Sequence, residues 1–132
     1  MPIDHKSNLI AIVDDDHSVQ EAVRDLLESD GRSVRCFGMA EDFLASGLER
    51  KVACLVLDVR MPGMSGTELH RHLLDNACEV PVIFMTAHGT DEEARRRALA
   101  AGAVAYLIKP FDQDELLDAV HRALRSELRQ DS

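Results

Sequence analysis

Ala53-Cys54-Leu55-Val56-Leu57-Asp58 is five apolar residues closed by a single acid. The run is too short for a helix and too apolar for an exposed strand, so it reads as a buried parallel strand. The same pattern recurs along the chain. Leu9-Ile10-Ala11-Ile12-Val13 runs into Asp14 and Asp15, Val82-Ile83-Phe84-Met85 into Thr86, and Tyr106-Leu107-Ile108 into Lys109. In a parallel sheet every carboxyl end lies on one edge. Three acids, a hydroxyl and an amine that are distant in sequence therefore converge on the edge where open α/β folds hold ligands.

The segments between these runs carry helical spacing. A first helix is predicted from about Ser18, where Ser18 and Glu21 have capping-box spacing, with Val19, Val23, Leu26 and Leu27 on one face and Gly31 as its end. Ser33 to Phe37 reads as a second strand, and the following helix carries Phe43, Leu44 and Leu48. The turn-forming loop Met61-Pro62-Gly63-Met64-Ser65-Gly66 leads to a helix with Leu69, Leu73 and Leu74 toward the sheet. Pro81 opens the fourth strand. A fourth helix spans about Asp91 to Ala101 and stops at Gly102. A fifth begins near Asp112, at capping distance from Glu115, and buries Leu116, Leu117, Val120 and Leu124. The predicted fold class is α/β, a doubly wound (βα)5 sandwich with a five-stranded parallel sheet and right-handed crossovers.

At 132 residues the chain fits one domain with a sizeable core. Its net charge of −9, from 24 acids against 15 bases, makes it a poor holder of nucleic-acid phosphates, so no direct nucleic-acid contact is expected of this domain. The N-terminus is polar and no apolar run approaches the length of a bilayer span, so neither a membrane role nor a signal segment is read, and a cytoplasmic location is expected. Cys36, Cys54 and Cys78 are odd in number and lack Cys-x-x-Cys spacing, and they read as small packed hydrophobes. His70 and His72 lack metal spacing and are predicted at the surface.

Asp14, Asp15 and Asp58 at one edge would repel. A like-charged pair at ~4 Å costs about 4 kcal/mol at an effective dielectric of ~20, so a cation belongs among them. An oxygen-only donor set suits a hard ion that keeps several waters, Mg²⁺ or alternatively Mn²⁺. Lys109 adds a second positive charge, and Thr86 a hydroxyl. A metal and an ammonium flanking a carboxylate suit phosphoryl transfer, with Asp58 as nucleophile. The triple acid Asp14-Asp15-Asp16 leaves the register open by one residue. With Val13 as the last buried strand residue, Asp14 and Asp15 face the site and Asp16 starts the first helix.

Together, Val13-Asp14-Asp15, the segment Leu57-Asp58-Val59-Arg60-Met61-Pro62-Gly63-Met64-Ser65-Gly66, Met85-Thr86-Ala87 and Lys109-Pro110-Phe111 resemble the response-regulator receiver domains of two-component signalling. That family is CheY-like (flavodoxin-like) in fold, and the likeness is greatest to FixJ-type regulators. The resemblance covers nearly the whole chain, with a core of about 9–128. It implies that Asp58 is phosphorylated by a sensor histidine kinase or phosphotransfer protein, that Mg²⁺ is held by the Asp15 and Asp58 side chains and the Arg60 carbonyl, and that Asp14 acts through a metal-bound water. It further implies that Lys109 pairs with the phosphoryl group, that Thr86 and Tyr106 form the switch, and that the Lys109-Pro110 bond is cis. Arg60 and His88, each two residues beyond a site residue, take positions that tune the lifetime of the phosphoryl group. Each also reads as a plain loop residue.

By the same resemblance the output surface is the face of the fourth helix, fifth strand and fifth helix, which controls a partner or domain acting in transcription. The family often dimerises through this face, and ion pairs between Arg95-Arg96-Arg97 and Asp112, Asp114, Glu115 and Asp118 of a second copy would suit it. The three arginines fan around their helix and make no nucleic-acid patch. No effector domain is read in the chain. The domain is expected to catalyse only its own phosphorylation and dephosphorylation. Two rivals remain: a Mg²⁺-dependent phosphatase with an aspartyl intermediate, and a docking module that is never phosphorylated. The first places its nucleophile after the first strand and adds a lid, and the second has no need of the complete acid and lysine set seen here.

Overall fold

The computed structural model describes residues 8–87 and 91–131, with side chains of the last helix described as far as Arg125. Strands β1 (Leu9–Val13), β2 (Ser33–Phe37), β3 (Cys54–Asp58), β4 (Val82–Thr86) and β5 (Ala105–Ile108) alternate with helices α1 (His17–Ser29), α2 (Ala40–Ser46), α3 (Gly66–Asp75), α4 (Glu92–Ala100) and α5 (Gln113–Asp131). The strands form one parallel sheet in the order β2-β1-β3-β4-β5. The chain reverses its direction of travel across the sheet at β1, so β1 and β3 meet at the centre with their carboxyl ends side by side.

Side chains alternate across a strand, and this parity divides the core in two. Ile10, Ile12, Cys54, Val56, Ile83 and Met85 face α1 and α5, where Val23, Leu27, Leu116 and Val120 cover them. Ala11, Val13, Leu55, Leu57 and Phe84 face the other way, onto Phe43 of α2 and Leu69 and Leu73 of α3. Every residue of β3 and β4 is buried, which is why both read as uninterrupted apolar runs. The edge strand β2 is only partly covered.

Four helix expectations are corrected. The cap of α1 is Asp16, whose carboxylate accepts from the Ser18 and Val19 amides at 2.9 and 3.4 Å, and the Ser18–Glu21 spacing goes unused. An acid just ahead of the first turn meets the orphan amides and the positive helix end together, and a serine already inside the helix cannot. The full capping box is at α3, where Ser65 and Glu68 exchange side-chain to backbone bonds. Leu74, expected to face the sheet, is 40% exposed, and Leu48 lies beyond the end of α2, which Gly47 closes in the left-handed conformation. His70, expected at the surface, is 6% exposed. Cys54 and Cys78 are buried and Cys36 partly so, all three free thiols, in line with their reading as packed hydrophobes.

Gly66 begins α3 directly against β3. Its amide donates to the Val59 carbonyl at 2.9 Å, and a Cβ there would meet the Asp58 carbonyl oxygen at a distance no side chain tolerates. Gly66→Ala is therefore expected to push α3 away from the end of β3 and cost about 1–3 kcal/mol, read as a lowered urea midpoint with unchanged slope. A midpoint equal to wild type would mean that the loop has slack.

Candidate functional site

The carboxyl ends of β1, β3, β4 and β5 bring together the residues singled out from sequence. Asp14 is fully buried, Asp58 is 7% exposed and Thr86 is 1% exposed, whereas Asp15 is open to solvent. Carboxylate oxygens of Asp14, Asp15 and Asp58 all lie within 4.8 Å of one another. Lys109 reaches in from the end of β5, its Nζ 2.8 Å from Asp14 Oδ2 and 3.7 Å from Asp58 Oδ2. The Lys109 amide donates to the Thr86 carbonyl at 2.7 Å, which joins the ends of β4 and β5, and the Lys109-Pro110 peptide that follows is cis, as expected.

Backbone contacts fix each acid. The second oxygen of Asp14 accepts from the Asp16 amide at 2.9 Å, and Gln20 Nε2 donates to the Asp14 carbonyl at 2.6 Å. Gln20 is a positioning residue that the sequence reading missed. Its one signal was a polar side chain on the inward face of α1, four positions after the Asp16 cap. Glu41 of α2 is another, because its Oε2 accepts from the Met64 amide at 3.0 Å and tethers the loop that follows Asp58. Asp16 itself is engaged as the α1 cap, while Asp14 and Asp15 bring carboxylate oxygens beside Asp58.

The electrostatics follow from burial. Desolvation, and then the charge of Asp14, push the Asp58 carboxyl up to about 6, against the pull of Lys109 and of a hydrogen bond from the Arg60 amide; Asp15 pushes the same way as Asp14. For Lys109, burial disfavours the ammonium, but the hydrogen bond and charge of Asp14, together with Asp58 and Asp16, outweigh it and raise its pKa. The cluster thus holds three carboxylates against one amine, and the surplus negative charge falls on Asp58. Three converging carboxylate oxygens with no sulfur or imidazole donor fit a hard divalent ion.

Tyr106 is half-buried on β5, with its ring 6.0 Å from that of Phe84. Burial, and then the charge of Asp91, raise the phenol pKa, against Arg60 and a hydrogen bond with Thr86. Thr86 and Tyr106 are therefore in contact, and Arg60 borders the same mouth. His88 lies outside the described residues.

Residues 10–121 match the response regulator receiver domain family. The chain belongs to that family. It is 42% identical over 120 residues to the response regulator protein TodT of Pseudomonas putida, covering 91% of this chain and 52% of that protein. It is 40% identical to the transcriptional regulatory protein FixJ of Azorhizobium caulinodans over 115 residues, covering 87% of this chain and 54% of the relative. Among solved structures it superposes on the response regulator StyR with a TM-score of 0.85 at 43% identity, covering 92% of this chain and 61% of that one. The receiver domain spans about half the length of the curated relatives it matches. It is a receiver domain of two-component response regulators. No helix among the described residues is long and apolar enough to cross a membrane.

Proposed function

We propose that Asp58 is the phosphoacceptor of this receiver domain. The observation that carries the reading is one buried carboxylate, at the end of the central strand β3, standing between a lysine ammonium and two further acids. An oxygen of ionised Asp58 attacks the phosphorus of a phosphohistidine on a sensor kinase or phosphotransfer protein. The new O–P bond forms as the P–N bond breaks, and the imidazole leaves with the electron pair. Lys109 and the Thr86 hydroxyl take the equatorial oxygens, since the lysine reaches to 3.7 Å from Asp58 and Thr86 ends the adjacent strand β4. The side chains of Asp15 and Asp58 and the Arg60 carbonyl would hold Mg²⁺, with Mn²⁺ as a substitute, and Asp14 would act through a bound water. When present, the ion supplies the positive charge that Asp58 lacks and that three phosphoryl oxygens require.

Attraction of Thr86 toward the new phosphoryl group breaks its contact with Tyr106, so the phenol is free to turn. This biases two conformations of the α4-β5-α5 face through contacts that only one of them makes. Ile108 of edge strand β5 is 47% exposed there and suits a second copy or an output segment. Arg95 and Arg97 pair within α4 with Glu92 and Glu93, so pairs across a dimer would exchange weak local bonds for similar ones and set register more than affinity. Arg60 and His88 would tune the lifetime of the phosphoryl group. A transcriptional output is supported by the name of FixJ, and the net charge of −9 assigns contact with DNA to another part of the assembly. A cytoplasmic site of action goes with that output.

The test is intact mass after incubation with acetyl phosphate. A gain of one phosphoryl group that requires both Mg²⁺ and Asp58, and disappears in Asp58→Ala, is expected. Labelling that persists in the variant would move the acceptor elsewhere. Intact acetyl phosphate with no gain would favour the docking module, and steady consumption without a stable adduct would favour the phosphatase.

A further inference from the structure

The face that α4 turns toward α3 is built of Ala94, Ala98 and, at the cap, Ala101, spaced one helical turn apart, and no residue of α4 is buried. Three methyl groups cannot fill the space between two helices, and a cavity of about 360 Å³ remains, with Phe84 of β4 lining it. A second cavity of about 260 Å³ shares His70, Leu74 and Ala101 with the first and continues it toward Pro81 and Val104. The phosphoacceptor cluster touches neither cavity.

Two features make this groove more than a packing gap. His70 lines both cavities, is 6% exposed, and has no hydrogen bond with any described residue. Its ring edge rests on Phe84, with centroids 5.4 Å apart and planes at 72°. Burial lowers its pKa, so at neutral pH it presents one N–H and one bare nitrogen. Its ring nitrogens are not sealed among the buried atoms that lack a partner, so they are open to whatever polar group enters the cavity. The second feature is charge. Arg71 and Arg97 line the first cavity beside Asp75, and Glu79 lines the second, so two guanidinium groups stand at the opening on a chain of net charge −9. Arg71 has no ion pair among the described residues, and Arg97 has only Glu93 at 3.9 Å, both side chains about 70% exposed.

We propose that the α3–α4 groove is a binding site for a small amphipathic carboxylate. The carboxylate pairs with the Arg71 and Arg97 guanidinium groups, whose planar forks suit it. The apolar body lies on Phe84, Leu74 and Ala98, and His70 bonds to a polar atom of the ligand at the floor. The volume is that of a small-ligand pocket, and its lining mixes apolar side chains with polar and charged ones, as an amphipathic ligand requires. Phe84 also touches Tyr106, the single tyrosine, so occupancy is felt by a ring that can be observed alone.

The experiment uses 2-naphthoate, with 2-naphthamide as the uncharged control, in titration calorimetry on the whole chain, together with ring resonances of His70 and Tyr106. Saturable binding is expected, with shifts at both rings, and Arg71→Gln, Arg97→Gln and the amide should each weaken it about tenfold. Ala98→Leu fills the groove and should abolish it with the far-ultraviolet spectrum unchanged; if that variant does not fold, the arginine variants decide alone. Several results would overturn the site: no saturation at millimolar probe, equal affinity for the amide, or binding that survives both arginine replacements. Self-association of the free protein that Ala98→Leu reverses would do the same, by seating a second copy in the groove.

Discussion

Asp58→Asn is expected to melt roughly 6–10 °C above the wild type at pH 7.5 without divalent ions, while accepting no phosphoryl group. The wild-type carboxyl is lifted from an ordinary 3.8 to about 6, so the folded state binds its proton more tightly than the unfolded chain does. The sign is opposite to that of a salt-bridged acid. This group adds no penalty below pH ~4, its destabilisation grows between pH ~4 and 6, and the full cost of about 2–3 kcal/mol is present above that window. At the entropy of unfolding of a chain this size, that energy corresponds to the stated shift. Asparagine keeps the shape and removes the charge, so the advantage of the variant should shrink toward zero as pH falls to 4. Parallel melts across pH 4–8 check it, and an advantage independent of pH would mean that packing, not charge, separates the two proteins. Saturating Mg²⁺ should narrow the gap at pH 7.5, because the ion binds the native acids and stabilises only the protein that has all three.

The strain at Asp58 explains why the site was legible in sequence at all. Burying a carboxylate at the end of a strand of five apolar residues is costly, so an acid in that position signals a use, and Asp14, Asp58, Thr86 and Lys109 all announced themselves this way. The fold was legible for a related reason: strands buried on both faces lose the alternation that would make them ambiguous, and each ends at a residue that cannot remain buried without a partner. What escaped depended on neighbours distant in sequence. Whether Asp16 or Ser18 caps α1 turns on where β1 lets go of the sheet, a matter of one residue that spacing rules do not resolve. Leu74 and His70 exchanged their expected places because the partner of α3 is an alanine face on α4, which leaves Leu74 uncovered and gives an imidazole room over Phe84. Gln20 and Glu41 act on backbone atoms, Asp14 O and Met64 N, and backbone groups carry no sequence signature. The preference of Lys109 for Asp14 over Asp58, 2.8 against 3.7 Å, is likewise a property of the assembled edge.

That preference makes Lys109→Met a larger perturbation than loss of a surface lysine. Asp14 is fully buried and has two described side-chain partners, the Lys109 ammonium and the Asp16 amide. With methionine at 109 it keeps only the amide, and the three carboxylates face one another with no fixed cation. Breaking a buried pair from one side costs 3–5 kcal/mol where both partners are sealed from water. Here the lysine side chain is 17% exposed, so about 3 kcal/mol is expected, a fall of roughly 10 °C in melting temperature. The loss should be conditional. Mg²⁺ should raise the melting temperature of Lys109→Met more than that of the wild type, since the ion then meets the cluster without a competing ammonium. Adding Asp58→Asn to Lys109→Met should recover most of the deficit, because it removes the charge that the lysine held in check. A double-mutant cycle measures this: a coupling of 1 kcal/mol or more between positions 58 and 109 is expected, whereas additive effects would mean that the lysine serves Asp14 alone. A protein that spends stability to keep Asp58 uncompensated has a site in which each added charge, ion or phosphoryl group, shifts the balance of the whole edge. The same three carboxylates that weaken the resting fold therefore make it responsive.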